Sequence, residues 1–345
     1  MRFGLILDSI FAQHRNPTGH PESPERILFL IESLKRYEGH LDVVRFTPEA
    51  ARLEWISRVH SSAHLERIQA TQGKEGTYLD PDTQAGPQSY EVALQAAGSI
   101  VKMVRRLGAR EIDAGFLAAR PPGHHAESNR AMGFCLFNSI AVAAQWLIDQ
   151  ALARKVAIVD FDVHHGNGTQ EIFYRRNDVL YVSTHQSPLY PGTGALSERG
   201  SGPGAGFTVN LPLRSGTGDA FYERVYADLV GPVLREFEPD LILVSAGYDA
   251  HEADPLAGMQ MTSEGFATLV SILNAVAREV CDGRIVYLLE GGYDLSALAA
   301  SVEATLETCL SGRGYVASGL RPPEFDSYES QVKELLSADW VSLRS

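Results

Sequence analysis

The chain has 345 residues, 44% hydrophobic and 21% charged, with a formal net charge of −13. This composition suits a large globular α/β protein, holds no apolar run near the ~20 residues of a membrane span, and lacks the basic surplus that tight nucleic-acid binding needs. The three cysteines, Cys135, Cys281 and Cys309, show no CxxC spacing, which fits a reducing, cytoplasmic setting.

In chain order, "MRFGLILDS" meets Asp8 after a short apolar run, so it reads as a strand over 3–7 rather than a leader. A helix over 22–37 follows, opened by Ser23-Pro24-Glu25 as a cap followed by proline. Further strands are predicted over 43–46, 115–119, 156–161, 179–184, 207–213, 241–247 and 284–292. Apolar residues three and four apart predict helices over 89–108, 135–152, 218–237, 263–280 and 294–310. The glycine-rich 198–207 reads as a loop. Near-continuous apolar strands alternating with helices imply an α/β fold with a mostly parallel sheet covered on both faces. The expectation is one domain over 1–345, with a core over about 1–311 and a less regular segment, 312–345, packed outside it.

Ligands in such sheets bind at the carboxyl ends of the strands. Four strand ends here carry acids, histidines and tyrosines. "VAIVDF" runs into Asp160, Asp162, His164 and His165, and "LILVSAG" into Tyr248 and Asp249. "RIVYLLE" runs into Gly291, Gly292 and Tyr293, and "GFLAAR" into His124 and His125. In extended backbone Asp162 and His164, two apart, point the same way. Asp249 from a neighbouring strand end would complete a site with one histidine and two carboxylates, leaving a fourth position open, as in hydrolytic zinc sites. The competing reading of DxH alone is a satisfied polar cluster. His124 and His125 lie in a loop stiffened by proline and glycine, where both can face a pocket as a base and acid pair. Asp160 and Asn167 are free to fix their tautomers. Tyr293, after two glycines, can supply a neutral phenol to a developing oxyanion or can simply pack. Phe134 can line a channel or belong to the core, and Tyr190 sits in a rigid proline loop. Arg26 is a surface helix residue or reaches the pocket floor.

The stretches "RPPGHHA", "GFCLFNSIAVAA", "VDFDVHHGNGTQEIFY", "SAGYDAHEADPLAGM" and "LLEGGYD" resemble the zinc-dependent histone deacetylases, and most closely their class II and bacterial amidohydrolase-like branch. The resemblance covers roughly residues 1 to 311. It implies the arginase/deacetylase fold, an open, mostly parallel eight-stranded sheet. It implies one zinc ion on Asp162, His164 and Asp249, with His124, His125 and Tyr293 catalytic. It implies potassium held near Asp160, Asp162, His164, Ser183 and Thr184, several through backbone carbonyls. It also implies an acyl-lysine tunnel walled by Phe134 and Tyr190 over Gly133, with Asp80 or Asp82 at the rim. Asn167 stands where class I members have an aspartate. The implied reaction is hydrolysis of an N-acetyl amide on a lysine of a protein or peptide, or on a small acetylated amine. Leu256, at the mouth, lacks the acid of polyamine-selective relatives. Gly166 and His251 replace the aspartates that a two-manganese ureohydrolase needs. Oligomeric state is left open.

Overall fold

The computed structural model describes residues 2–344. Ten strands are present among them: β1 (Phe3–Leu7), β2 (Val43–Arg45), β3 (Thr77–Asp80), β4 (Thr83–Ala85), β5 (Ala114–Ala118), β6 (Val156–Asp160), β7 (Val179–Gln186), β8 (Thr208–Leu213), β9 (Leu241–Ala246) and β10 (Ile285–Leu289). Eight of them form one sheet in the order β2-β1-β5-β10-β9-β6-β7-β8, and every pairing in it is parallel. Strands β5, β6, β7, β9 and β10 are buried at every position, as apolar runs covered on both faces require.

Helices Ser89–Gly108 and Ser139–Asp149 pack together. Helix Ser263–Cys281 packs against helices Leu295–Ser311 and Gly231–Phe237. Local side-chain caps set several helix starts: Asn138 accepts from Ala141 N, Thr262 from Gly265 N and Asp294 from Ala297 N. The predicted helix over 135–152 thus begins only at Ser139. The predicted helix over 218–237 is divided by a π-helical turn, Tyr226–Val230.

One prediction is corrected. The region after 311 contains a regular helix, Pro323–Leu336, whose Phe325, Val332 and Leu336 are buried, and Trp340 beyond it donates to Gly206 O at 3.1 Å. The rim sequence "TYLDPDTQA", for which no element was predicted, is a two-stranded antiparallel hairpin, β3–β4.

The order places the site. The chain leaves β6 toward β7 and leaves β9 toward β10, so the β6/β9 boundary is a topological switch point, where a crevice opens beyond the strand ends. The four strands singled out by their chemistry, β5, β10, β9 and β6, are consecutive neighbours.

Candidate active site

Strand β6 stops at Asp160, and residues 161–166 continue as an irregular turn rather than extended chain. The turn still brings Asp162 and His164 together: His164 Nδ1 lies 3.1 Å from Asp162 Oδ1 and 3.1 Å from Asp249 Oδ2. One ligand atom from each of these three buried residues falls within 4.8 Å of the others. Backbone amides hold the rest of each carboxylate. Asp162 accepts from His164 N at 2.9 Å and Gly291 N at 2.8 Å, and Asp249 accepts from Val163 N at 2.9 Å.

Two buried carboxylates this close demand a cation. With only a proton available, burial and the charge of Asp162 push Asp249 up to about 7. His164 is raised to about 10, because its bonds to Asp162 and Asp249 outweigh the burial that would lower it. Asp162 is held far below the usual carboxylate range, burial being outweighed by the charge of His124 and the bonds from His164. Ligand atoms held about 2 Å from a tetrahedral metal stand roughly 3.3 Å apart, so this donor set fits a divalent ion.

Glycine keeps the carboxylates in contact. A Cβ on Gly291 would stand 2.0 Å from Asp249 Oδ2 and 2.6 Å from Asp162 Oδ2. Gly166 leaves no room for a further ligand: its Cβ would meet Asp160 Oδ2 at 2.3 Å and Tyr181 Oη at 2.5 Å.

The tandem histidines stand beside this cluster with ring centroids 4.0 Å apart. His124 Nδ1 is 3.0 Å from Asp160 Oδ2, which also accepts from the Tyr181 hydroxyl at 3.0 Å. His125 Nδ1 is 2.8 Å from Asn167 Oδ1. Burial lowers both rings, but the charges of Asp162 and Asp160 lift His124 well above the ordinary histidine range. His125 has an amide partner instead, and burial with the nearby charges of His124 and His164 drives it well below that range. His165, the other half of "DVHH", turns away to Thr193 and Gln170 and is a satisfied interior histidine.

Tyr293 follows Gly292, whose φ of +114° is one that L side chains rarely adopt. Its amide donates to Asp254 Oδ2 at 2.7 Å. Burial first, then the charge of Asp249, hold its phenol well above the ordinary range, so it is a neutral donor. Arg26 is 0% exposed; it donates to Gly292 O at 2.7 Å and Glu290 O at 2.6 Å, and its guanidinium lies 5.0 Å from the Tyr293 ring centre. It is thus a strut beneath the tyrosine turn, and no surface residue.

Phe134 leans on Tyr293 and His20, with centroids 6.0 and 4.7 Å away, while Tyr190 meets His125 edge-on at 5.1 Å. Gly133, with φ +55°, packs against His125, where a Cβ would fall 2.3 Å from Cδ2. Asp80 is bound by Arg130 at 2.6 Å, whereas Asp82 accepts from Gly133 N at 3.2 Å, so Asp82 is the hairpin acid tied to the Gly133 turn. Leu256 donates its amide to Asp254 Oδ1 at 2.9 Å, which fixes it in the same loop as the Tyr293 support. Ser183 aligns with Asp160 across β6–β7; Ser183 Oγ lies 2.9 Å from His185, and Thr184 Oγ1 lies 3.0 Å from Tyr226.

Sequence reading gave no role to Glu290. This buried carboxylate accepts from Gly123 N at 2.6 Å, His124 N at 3.2 Å and the Ser245 hydroxyl at 3.0 Å, and so fastens the histidine loop to β9 and β10. The signal was present, since an acid at the end of a fully apolar strand has to find donors.

A buried histidine and two carboxylates that fit a cation, beside a histidine pair and a neutral phenol, are groups that a hydrolase uses. The histone deacetylase domain model matches residues 20–309. A probable deacetylase of Archaeoglobus fulgidus is 38% identical over 324 residues, covering 93% of this chain and 89% of that protein. Histone deacetylase 10, chloroplastic, of Oryza sativa subsp. japonica is 38% identical over 347 residues, covering 95% of this chain and 77% of that one. The crystal structure of the HDA15 HD domain superposes with a TM-score of 0.93 at 33% identity, over 100% of this chain and 98% of that chain. This chain belongs to the histone deacetylase family and is an amidohydrolase of the α/β class.

Proposed function

We propose that the chain hydrolyses the N-acetyl amide of acetyl-lysine side chains in proteins or peptides, using one zinc ion on Asp162, His164 and Asp249. The observation that carries this reading is that donor triad, with its ligand atoms within 4.8 Å and neutral His125 beside it. When bound, the ion supplies Lewis acidity to the acetyl carbonyl and to the attacking water. His125 takes a proton from that water while Asn167 holds its Nδ1. His124, paired with Asp160, contributes positive charge beside the developing oxyanion, and Tyr293 donates a hydrogen bond to it. The proton held by the histidine pair passes to the leaving nitrogen as the C–N bond breaks, giving acetate and a free amine. Phe134 and Tyr190 would flank the lysine methylenes. We assign a potassium ion to Asp160, Asp162, His164, Ser183 and Thr184, and a cytoplasmic setting. No described helix is long and apolar enough to cross a membrane.

The apolar side chain of Leu256, in the loop that supports Tyr293, favours a lysine side chain over a polyamine, whose second ammonium would want an acid there. The test is kcat/KM on acetyl-lysine peptides and acetylpolyamines, with metal content measured on the same zinc-loaded sample. Preference for the peptide with one transition metal per chain is expected. A strong preference for acetylspermidine, or two manganese ions per active chain, would overturn the reading.

A further inference from the structure

We infer that Glu127 is a positioning residue that sets the tautomer of His125 through Asn167; the consequence for turnover rests on His125 acting as the base. Asn167 Nδ2 donates to Glu127 Oε1 at 2.8 Å and to Met132 Sδ at 3.3 Å, while its Oδ1 faces His125 Nδ1 at 2.8 Å. An ionised carboxylate only accepts, so it dictates which end of the amide faces it. The amide nitrogen turns to Glu127 and the oxygen to His125. Nδ1 of His125 must then carry the proton, and Nε2 is left with a lone pair for the water. His124 gets the instruction for its Nδ1 directly from the carboxylate of Asp160. His125 gets it at one remove, from a negative charge an amide's length away. Its partner is oriented without placing a full charge against the ring, which keeps this histidine neutral.

The carboxylate is itself held in place. Glu127 N donates to Arg130 O at 2.9 Å, and Glu127 O is 2.9 Å from His60 Nδ1. It is partly exposed and opens on a surface cavity of about 410 Å³ shared with Asn167, Gln170 and Arg175, so removing its side chain empties no core volume.

The test uses the zinc-loaded protein. In Glu127→Ala the amide can flip, and kcat on an acetyl-lysine peptide should fall about 10–100-fold, the scale of losing an orienting partner near a metal site. KM, metal content and melting temperature should stay near wild type. Asn167→Asp sets two carboxylates against each other and should lose at least as much. Adding Glu127→Gln to Asn167→Asp reverses the pair, since the introduced amide can donate to the introduced acid. That double variant should recover about tenfold over Asn167→Asp alone. Nitrogen-15 NMR of the imidazoles reads the tautomer without any substrate: His125 should be protonated at Nδ1 in wild type and mixed in Glu127→Ala. This signature is independent of which amide the enzyme cleaves, so a wrong substrate class and a wrong role for Glu127 give different results. An unchanged tautomer in Glu127→Ala, or a double variant no better than Asn167→Asp, overturns the inference.

Discussion

His60 and His64 stack with ring centroids 4.8 Å apart, and His124 and His125 lie 4.0 Å apart. All four are buried. The first pair is met by backbone: His60 by Glu127 O and Asn138 N, His64 by Leu136 O. Burial, then the neighbouring His64, lowers His60 to about 3, and burial lowers His64 as well. The second pair faces two aspartates, and there one ring is raised and the other lowered. Proximity of two imidazoles is therefore not what makes a site. Carboxylates within reach split the protonation states of neighbouring rings, and a base beside a charged partner is what hydrolysis needs. Without carboxylates a histidine pair stays neutral and serves as packing with hydrogen bonds.

The contrast breaks most completely at the acids. Asp162→Ala removes one of the three proposed metal ligands and the main charge that raises His124. Activity should fall by at least about 10³-fold together with bound metal, read by elemental analysis beside the assay. Retention of stoichiometric metal with activity would mean that the triad is not the metal centre.

Next in size is Tyr293→Phe, which leaves both histidine clusters and all three proposed ligands intact. Loss of one oxyanion donor costs about 10²–10³ in kcat, with KM and metal content near wild type. A variant that keeps most of its kcat would make the phenol a packing residue held up by Arg26.

The smallest effect sharpens the other side of the contrast. His60 is neutral in folded and unfolded chains above about pH 6.5. As pH falls below that, the unfolded chain takes up a proton, and the folded ring does not do so until about pH 3. Its contribution to stability is thus present above pH 6.5 and lost between there and pH 3, on the order of 2 kcal/mol by pH 5. Denaturant titrations at pH 7.5 and 5 should show a smaller drop for His60→Gln than for wild type. Parallel pH dependence in the two proteins would show that His60 titrates alike folded and unfolded.

Much of the sheet and the main donors of the site could be read from sequence because their signals are local. Apolar runs such as "VAIVD" have no reading but a doubly covered strand, and acids and histidines at four such ends have no business in a core. What escaped depended on distant partners. The helix Pro323–Leu336 spaces Phe325, Tyr328, Val332 and Leu336 along one face, yet its two leading prolines and polar majority hid it. The β3–β4 hairpin is too short for a period to show. Glu290 sat in full view in "LLEGGYD", but its donors come from residues 123, 124 and 245. Nothing adjacent to the glycine at 291 announces that it makes space between two carboxylates.

The sequence by itself determined the eight strands of the main sheet, the residue types at their ends and the spacing that brings Asp162 and His164 into one turn, because each is settled within a few residues by burial and backbone geometry. Only the tertiary structure decided that β6 and β9 are neighbours, so that Asp249 reaches His164. It alone also decided that Asp160 goes to His124 and Asn167, oriented by Glu127, to His125. Strand order and second partners are set by packing across the whole sheet, and no local pattern encodes which buried charge will meet which ring.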